Sequence, residues 1–273
     1  MLVSIIIPCK NESENIKSLL EAVQTQELDF DKEIITVNNV SPSGRARNQG
    51  ADRAKGEILV FLDNDISFGS SRVLANLIAP LLEDAEIGIC GVSQKIPKNA
   101  NWFQRWCAKE IPHTEHLVVE KIEERGMVGG ACCAIKKELF FKSGRFNDGL
   151  KRGVDVEFCA RVKANNYRVV IVPQTWIYHP PSENLFEFIS LCFRNGKATA
   201  FIDRYYPELN FDVGVGEKIG PLKKKSILER FLRYGQGVLK AIVFLKILNL
   251  IYRIAYFLGY IQEKIFGGRK NVR

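Results

Sequence analysis

Short β-branched runs alternate with helically periodic segments over the first 65 residues, and this alternation restricts the fold more than any other feature. Repeated strand-then-helix units predict an α/β protein with a mostly parallel sheet flanked by helices. Such sheets bind ligands at the carboxyl ends of their strands, which is where Pro8, Asn38 and Asp63 lie. The predicted order is strand Val3 to Ile7, helix Asn11 to Val23, strand Glu33 to Val37, helix Ala46 to Ala54 and strand Glu57 to Leu62.

The middle of the chain continues this pattern around one irregular stretch. Residues 97–126 have no clean period, which is typical of a lid or of an insertion that contacts an acceptor. The elements predicted around it are helix Arg72 to Leu82, strands Glu86 to Ser93 and Met127 to Lys136, helix Asp155 to Ala164, and strands Arg168 to Val172 and Thr175 to Tyr178.

Charge is distributed unevenly along the chain. Residues 218–273 hold 13 Lys or Arg against two Glu, whereas residues 1–217 hold 26 basic against 29 acidic residues. A basic tail attracts nucleic acid, anionic lipid or an acidic partner. Here the basic residues alternate with Ile, Leu and Phe, which disfavours nucleic acid. We predict a folded domain over residues 1–215 and a basic, amphipathic helical tail over residues 216–273.

The tail from about Ile227 has helical periodicity and one polar stripe. This pattern predicts a helix in the interface of an anionic membrane, with its basic residues at the headgroups. Lys246 and Arg253 interrupt every window of about 20 residues, which disfavours a membrane span. The alternative is a helical hairpin that packs on the core or on a second subunit, as in a homo-oligomer. The stripe consists of Lys246, Asn249, Arg253, Tyr256, Tyr260 and Lys264.

Cysteine usage and the N-terminus indicate a reducing, cytoplasmic location. The seven Cys include no C-x-x-C pair, so neither a disulfide framework nor a zinc site is predicted. Leu2 to Ile7 is too short for the apolar core of a signal peptide and predicts a buried strand. With the basic tail, these features predict a peripheral protein on the inner face of the cell membrane.

The segment Leu62-Asp63-Asn64-Asp65 carries the clearest chemical signal. Two carboxylates two residues apart, directly after a buried strand, can point into one cleft. Hard oxygen ligands of this kind suit Mg²⁺ or Mn²⁺, with a nucleotide diphosphate completing the coordination. An isolated D-x-D is more often a solvated turn, and its position after Ile58 to Phe61 is what favours a site.

A second acidic segment opens a predicted helix. Asp155 and Glu157 lie in its first turn, where a lone Asp would usually be a cap. A third polar segment has an H-x-x-H spacing at His113 and His116 and predicts a surface loop, because no third metal ligand accompanies it.

Taken in order, these motifs resemble family 2 glycosyltransferases of the GT-A fold over roughly residues 3–210. The opening strand with Pro8-Cys9-Lys10-Asn11-Glu12 resembles the P-x-x-N-E loop of that family. The further matches are Ala46-Arg47-Asn48-Gln49-Gly50, Phe61-Leu62-Asp63-Asn64-Asp65, Gly129-Gly130-Ala131, Asp155 to Arg161, Tyr178-His179-Pro180 and Phe193-Arg194-Asn195-Gly196. The late elements are similar to those of members that build extracellular polysaccharides or glycolipids.

The resemblance implies an inverting transfer from a nucleotide-sugar donor to a lipid-linked, oligosaccharide or polysaccharide acceptor. It implies Mn²⁺ or Mg²⁺ as cofactor, with Asp65 as a metal ligand and His179 as a further ligand, a phosphate contact or a structural histidine. Asp155 is implied as the general base, and Glu157 as its support. The residues implied in nucleotide-sugar binding are Pro8, Glu12, Asn38, Asn39, Arg47, Asp63 and Asp65.

The chain departs from the family pattern at the end of its second strand. Asn38-Asn39 stands where the family usually has an Asp that contacts the nucleobase, which favours UDP-sugars over GDP-sugars. The connection from Val40 to Arg45 is also short, so a strand is expected to be missing or the nucleotide pocket to be shallow.

Two other functions remain open at this point. A sugar-phosphate nucleotidyltransferase would also use paired carboxylates, but Pro8 to Ser13 lacks the glycines that a triphosphate loop needs. A non-catalytic, membrane-bound partner is the other, and the presence of Asp63, Asp65 and Asp155 argues against it.

Overall fold

A computed structural model describes residues 1–9, 14–111, 117–206 and 227–267. The chain forms two compact units. The sheet unit comprises the described residues of 1–98 and 117–180, and the helical unit comprises those of 99–111, 181–206 and 227–267. The predicted boundary between residues 215 and 216 lies outside the described residues, so this division remains a prediction.

The sheet unit contains an eight-stranded sheet in the order β2-β1-β3-β7-β5-β8-β4, with β6 paired to β8. Strands β1, β2, β3, β5 and β8 run in one direction, and the other strands run against them. The strands are β1 (Leu2–Cys9), β2 (Asp31–Asn38), β3 (Ile58–Leu62), β4 (Ser67–Phe68), β5 (Ile87–Lys95), β6 (Glu123–Glu124), β7 (Cys132–Lys136) and β8 (Arg168–Tyr178). The mostly parallel α/β prediction is therefore correct.

Helices of the sheet unit cover the sheet. They are α1 (Glu14–Gln24), α2 (Ser43–Arg53), α3 (Val73–Glu83), α5 (Lys137–Lys142) and α6 (Val154–Ala164). The separate helical unit consists of α4 (Trp102–Glu110), α7 (Leu185–Tyr205), α8 (Ile227–Val243) and α9 (Ile247–Phe266). Every residue of β3 is buried, as its continuous apolar run requires of a central strand. Strand β2 lies at the edge of the sheet, which agrees with the short connection from Val40 to Arg45.

Two predicted strands differ from those observed. Strand β7 starts at Cys132 rather than Met127, because residues 127–131, which include Gly129 and Gly130, form a loop. Strand β8 runs through Pro173 as one element, and a register irregularity against β5 accommodates it.

An aromatic cluster fixes α6 to the centre of the sheet. The ring of Phe146 lies 5.0 Å from that of Phe61 on β3 and 4.7 Å from that of Phe158 on α6. Phe61 precedes Asp63 by two residues, and Phe158 follows Asp155 by three. The same core therefore positions the segments that carry both acidic residues.

In the helical unit, α7 and α9 pack with very close backbones. A Cβ atom added at Gly196 would clash with the Tyr256 carbonyl, and one added at Gly259 would clash with the Phe193 carbonyl. The Glu110 carboxylate of α4 accepts from Trp106 Nε1 at 2.6 Å and from the Asn249 backbone N–H, in the first turn of α9, at 3.1 Å. A carboxylate at this end of a helix is favourably placed.

Part of the polar stripe of α9 lies against the other helices of the helical unit, whereas Lys246, which precedes the helix, is exposed. Asn249 bonds to Glu110 of α4, and the Tyr260 hydroxyl donates to Asp203 of α7 at 2.7 Å. The outer face of α9 is instead apolar, with exposed Ile247, Ile254, Phe257, Leu258, Ile265 and Phe266. Periodicity located the stripe but could not reveal which side of the helix has protein neighbours.

Within the described residues, we find no helix that combines the length and apolarity needed to cross a membrane.

Candidate functional site

The carboxyl ends of β3 and β8 bring Asp63, Asp65 and His179 together. The D-x-D segment follows β3, and His179 follows β8. The short strand β4, which comes directly after the segment, pairs antiparallel with β8 so that Ser67 lies opposite Tyr178. This pairing places two segments more than 100 residues apart in sequence side by side.

These three side chains form a group that can hold a divalent cation. One ligand atom from each lies within 4.8 Å of the other two, and His179 Nε2 is 3.4 Å from Asp65 Oδ1. Asp63 and His179 are partly buried and Asp65 is exposed, so the group opens to solvent. Two carboxylates and an imidazole are a donor set that Mn²⁺ accepts, while the carboxylates alone suit Mg²⁺.

Electrostatics couple Asp65 to His179. Burial acts to lower the pKa of His179, but the hydrogen bond and charge of Asp65, together with the charge of Asp63, outweigh it and raise the pKa. Burial acts in the opposite direction on Asp65, and His179 lowers the pKa of that carboxyl. A proton and a cation therefore compete for this nitrogen of His179.

A buried guanidinium connects the D-x-D loop to the glycine loop. Arg47 Nη2 donates to Asp63 Oδ1 at 2.6 Å and to the Gly130 carbonyl at 3.0 Å. The Arg47 side chain is 6% exposed, and the backbone N–H of Asp63 donates to the Ala131 carbonyl. Burial tends to lower the pKa of Arg47, but Asp63, Cys133 and Asp155 raise it. Arg47 therefore holds the loop that carries Asp63, and a direct nucleotide contact for Arg47 remains a prediction.

Gly130 links this pair to Asp155. Its N–H donates to Asp155 Oδ2 at 3.3 Å, while its carbonyl accepts from Arg47. A Cβ atom at this position would lie 3.2 Å from the guanidinium nitrogens, so glycine suits the site. Asp155 lies in the first turn of α6, which begins after Gly153 in the left-handed region at φ 68°. The candidate base is thus half-buried and oriented by a backbone donor.

Glu157 has a different environment from Asp155. Its carboxylate is buried and forms a two-point ion pair with Arg161, at 2.6 and 2.8 Å. Arg161 also donates to the carbonyls of Ser143 and Arg145. These contacts fix α6 against the preceding loop, and the supporting role of Glu157 in catalysis remains a prediction.

The predicted nucleotide side lies at the ends of β1 and β2. Pro8 pairs with Val37, and Asn38 and Asn39 follow with exposed side chains. Asn39 adopts φ 59° and its N–H donates to the Cys9 carbonyl at 2.8 Å. Glu12, His113 and His116 lie outside the described residues.

Gln94 is a site residue that sequence reasoning missed. Its side-chain nitrogen lies 2.8 Å from His179 Nδ1. Gln94 belongs to β5 and precedes His179 by 85 residues, so only the pairing of β5 with β8 brings the two together. No spacing pattern in the sequence signals such a contact.

Comparison with solved structures identifies the fold. One similar structure is the mannosyltransferase PcManGT from Pyrobaculum calidifontis, solved in complex with GDP-Man and Mn²⁺. It superimposes with a TM-score of 0.62 at 14% identity, and the match covers 98% of this chain and 88% of the PcManGT chain. A structure of S. aureus TarS 1–349 in complex with UDP-GlcNAc gives a TM-score of 0.54 at 13% identity, covering 97% of this chain and 83% of its own. The sheet unit with its acidic loop thus has the GT-A-like α/β fold.

The family follows from the sequence comparison. A family model described as Glycosyltransferase like family matches residues 5–190, and the chain belongs to this family. Glycosyltransferase AglE of Haloferax volcanii is 25% identical over an alignment of 279 positions that covers 90% of this chain and 90% of AglE. The protein is a glycosyltransferase of the family 2 type, as the motifs implied.

Proposed function

We propose that this glycosyltransferase moves a sugar from a nucleotide-sugar donor, with a UDP-sugar preferred over a GDP-sugar, to a lipid-linked, oligosaccharide or polysaccharide acceptor, with inversion. The observation that carries this proposal is the pair of acidic groups at one edge of the sheet. Asp63, Asp65 and His179 form one group, and Asp155 is joined to it through Gly130 and Arg47. A cation-held diphosphate and a proton acceptor are the two components that such a transfer needs.

Asp155 accepts the proton of the acceptor hydroxyl as that oxygen attacks the anomeric carbon of the donor. The bond from that carbon to the diphosphate breaks on the opposite face, so a single displacement inverts the configuration. The Gly130 N–H at 3.3 Å keeps Asp155 Oδ2 oriented, and the ion pair of Glu157 with Arg161 keeps α6 in place. No covalent intermediate with the protein is required.

Asp63, Asp65 and His179 would hold Mn²⁺ or Mg²⁺, because their donor set fits such a cation. When bound, the cation offsets the negative charge that develops on the departing diphosphate. The Mn²⁺ in the PcManGT complex supports this assignment by analogy of fold. Pro8, Glu12, Asn38, Asn39 and Asp63 are proposed to contact the nucleotide-sugar, and the carbonyl oxygen of Asn38 can accept from uracil N3–H.

Thermal unfolding with a panel of donors tests the proposal. A ligand present at about 100 times its Kd stabilises a native protein by about 2.7 kcal/mol, so true donors are detectable. We expect UDP-sugars with Mn²⁺ to raise the Tm more than GDP- or TDP-sugars, and EDTA to abolish the shift. Asp65→Asn should remove the effect, whereas Asp148→Asn, which changes an exposed carboxylate paired with Arg45, should keep it. Failure of every donor to stabilise the protein with Mn²⁺ would contradict the proposal.

We further propose that the helical unit binds the anionic, cytoplasmic surface of a membrane. Asn249 and Tyr260 of α9 bond within the helical unit while an apolar face of α9 is exposed, which is the arrangement expected of a helix whose outer neighbour is lipid. The end of α8 and the turn after it add four consecutive exposed apolar residues, Ile242, Val243, Phe244 and Leu245, and exposed Ile247 follows at the start of α9. Lys240 and Lys246 are exposed beside it, and each basic residue near an anionic surface contributes on the order of 1 kcal/mol.

Vesicle co-sedimentation tests this localisation. We expect the protein to bind vesicles containing anionic lipid at low salt, and Phe244→Asp with Leu258→Asp to reduce binding strongly. Leu82→Asp, at an exposed position of the sheet unit, is the control. If the double variant leaves vesicle binding intact but converts an oligomer into a monomer in light scattering, the apolar face covers a second copy instead.

A further inference from the structure

The side chain of Gln94 and the backbone of Lys95 together fix His179. The side-chain nitrogen of Gln94 lies 2.8 Å from His179 Nδ1, and the backbone N–H of His179 donates to the Lys95 carbonyl at 2.9 Å. Gln94 lies opposite Ile177 in the parallel pairing of β5 with β8. Residues of β5 therefore hold the imidazole, which follows the neighbouring strand β8. Its other ring nitrogen, Nε2, faces Asp65.

The hydrogen of the neutral His179 imidazole must lie on different ring nitrogens in the cation-free and cation-bound states. A neutral imidazole carries hydrogen on one nitrogen and a lone pair on the other. When Nδ1 accepts from the Gln94 amide, Nε2 carries hydrogen and faces Asp65 Oδ1 at 3.4 Å. A cation at Nε2 needs a lone pair there, so the hydrogen must reside on Nδ1, which then requires an acceptor.

A carboxamide can satisfy Nδ1 in both states. Its NH₂ group donates and its oxygen accepts, and a half-turn of the terminal group exchanges them. A carboxylate would accept only, and an apolar side chain would do neither. The partner of a metal-bound histidine fixes which nitrogen carries hydrogen and affects metal affinity.

We propose that Gln94 is a positioning residue that sets the tautomer of His179, donating through its NH₂ group without a cation and accepting through its oxygen when a divalent cation binds. This inference rests on the proposed function, in which Asp63, Asp65 and His179 hold that cation. Gln94 touches neither the cation nor the substrate, and it acts through His179.

Two measurements on the full chain test this role. The first is Mn²⁺ affinity, read by electron paramagnetic resonance with and without UDP. Gln94→Leu should weaken Mn²⁺ binding by about 10- to 100-fold, the usual effect of removing such a partner. Gln94→Glu should retain it, since its carboxylate accepts from Nδ1–H. Gln49→Leu, at an exposed position of α2, is the matched control and should bind as the wild type does.

The second measurement is the ¹⁵N spectrum of the imidazoles above pH 8 without metal. The chain has three His, so the His179 signals can be assigned by substitution. We expect Nδ1 without hydrogen in the wild type and with hydrogen in Gln94→Glu, a readout that survives even if Gln94→Leu does not fold. Hydrogen on Nδ1 in the wild type, its absence in Gln94→Glu, or unchanged Mn²⁺ affinity in folded Gln94→Leu would overturn the inference. A wild type that binds no Mn²⁺ would instead refute the cation site of the proposed function.

Discussion

Arg47 and Asp63 form an ion pair of 2.6 Å in which the guanidinium is almost completely buried. The same guanidinium nitrogen donates to the Gly130 carbonyl, and the Gly130 N–H donates to Asp155. The Arg47 side chain therefore orders the segments that carry Asp63 and Asp155. Arg47→Met removes one partner of a buried pair and should lower the free energy of unfolding by on the order of 3 kcal/mol.

The control for this substitution lies on the same helix. Arg45 pairs with Asp148 at 3.8 Å and both side chains are more than half exposed, so Arg45→Met should cost about 1 kcal/mol or less. Urea unfolding of both variants makes the comparison. Equal, small losses would show that the buried pair does not order the site.

Glu33 connects the amino ends of three strands in the sheet unit. Its Oε1 accepts from Ser4 Oγ at 2.6 Å and from the backbone N–H groups of Lys55 and Gly56. Burial acts to raise the pKa of Glu33, but these hydrogen bonds outweigh it and lower the pKa. A carboxyl whose pKa is lower in the folded state stabilises the protein above its unfolded pKa of about 4.3 and loses this effect as the pH falls through the folded value.

We therefore expect Glu33→Gln to be less stable than the wild type at pH 7, with the difference shrinking below about pH 4. Unfolding by urea at a series of pH values measures both proteins. Glu57→Gln is a control at the same end of the sheet. A difference that does not change with pH would contradict the role given to the ionised carboxylate.

The close contact of α7 with α9 gives a stability prediction for the helical unit. Gly196→Ala should destabilise it by about 1–3 kcal/mol, because the new methyl group would meet the Tyr256 carbonyl and backbone cannot move aside easily. Gly235→Ala on α8 has open space and should stabilise by about 0.5–1 kcal/mol through helix propensity. Hydrogen exchange of the α7, α8 and α9 amides reads both changes. Faster exchange in Gly235→Ala than in Gly196→Ala would contradict the packing.

The core strands β1 and β3 were predictable from sequence because each is a nearly continuous buried apolar run with a clear boundary. The D-x-D segment could be placed at the end of β3 for the same reason. What brings Asp65 to His179 is β4, and two residues are too few for a periodic signal. Helix α7 was missed, although the Asn184 cap that accepts from the Glu187 N–H marks its start. The contact of Gln94 with His179 depends on strand pairing, which local patterns do not encode.

The general-base role of Asp155 is tested most directly by single-turnover transfer, using the donor that stabilises the protein most and an acceptor that it glycosylates. Asp155→Asn keeps the size of the side chain but removes its basicity, so transfer should slow by about 10² to 10⁴. Donor affinity should hardly change, whereas Asp65→Asn should lose donor binding together with rate. This separation of rate from affinity is the result that the account predicts. Transfer by Asp155→Asn near the wild-type rate would contradict it and leave Glu157 as the carboxylate to test.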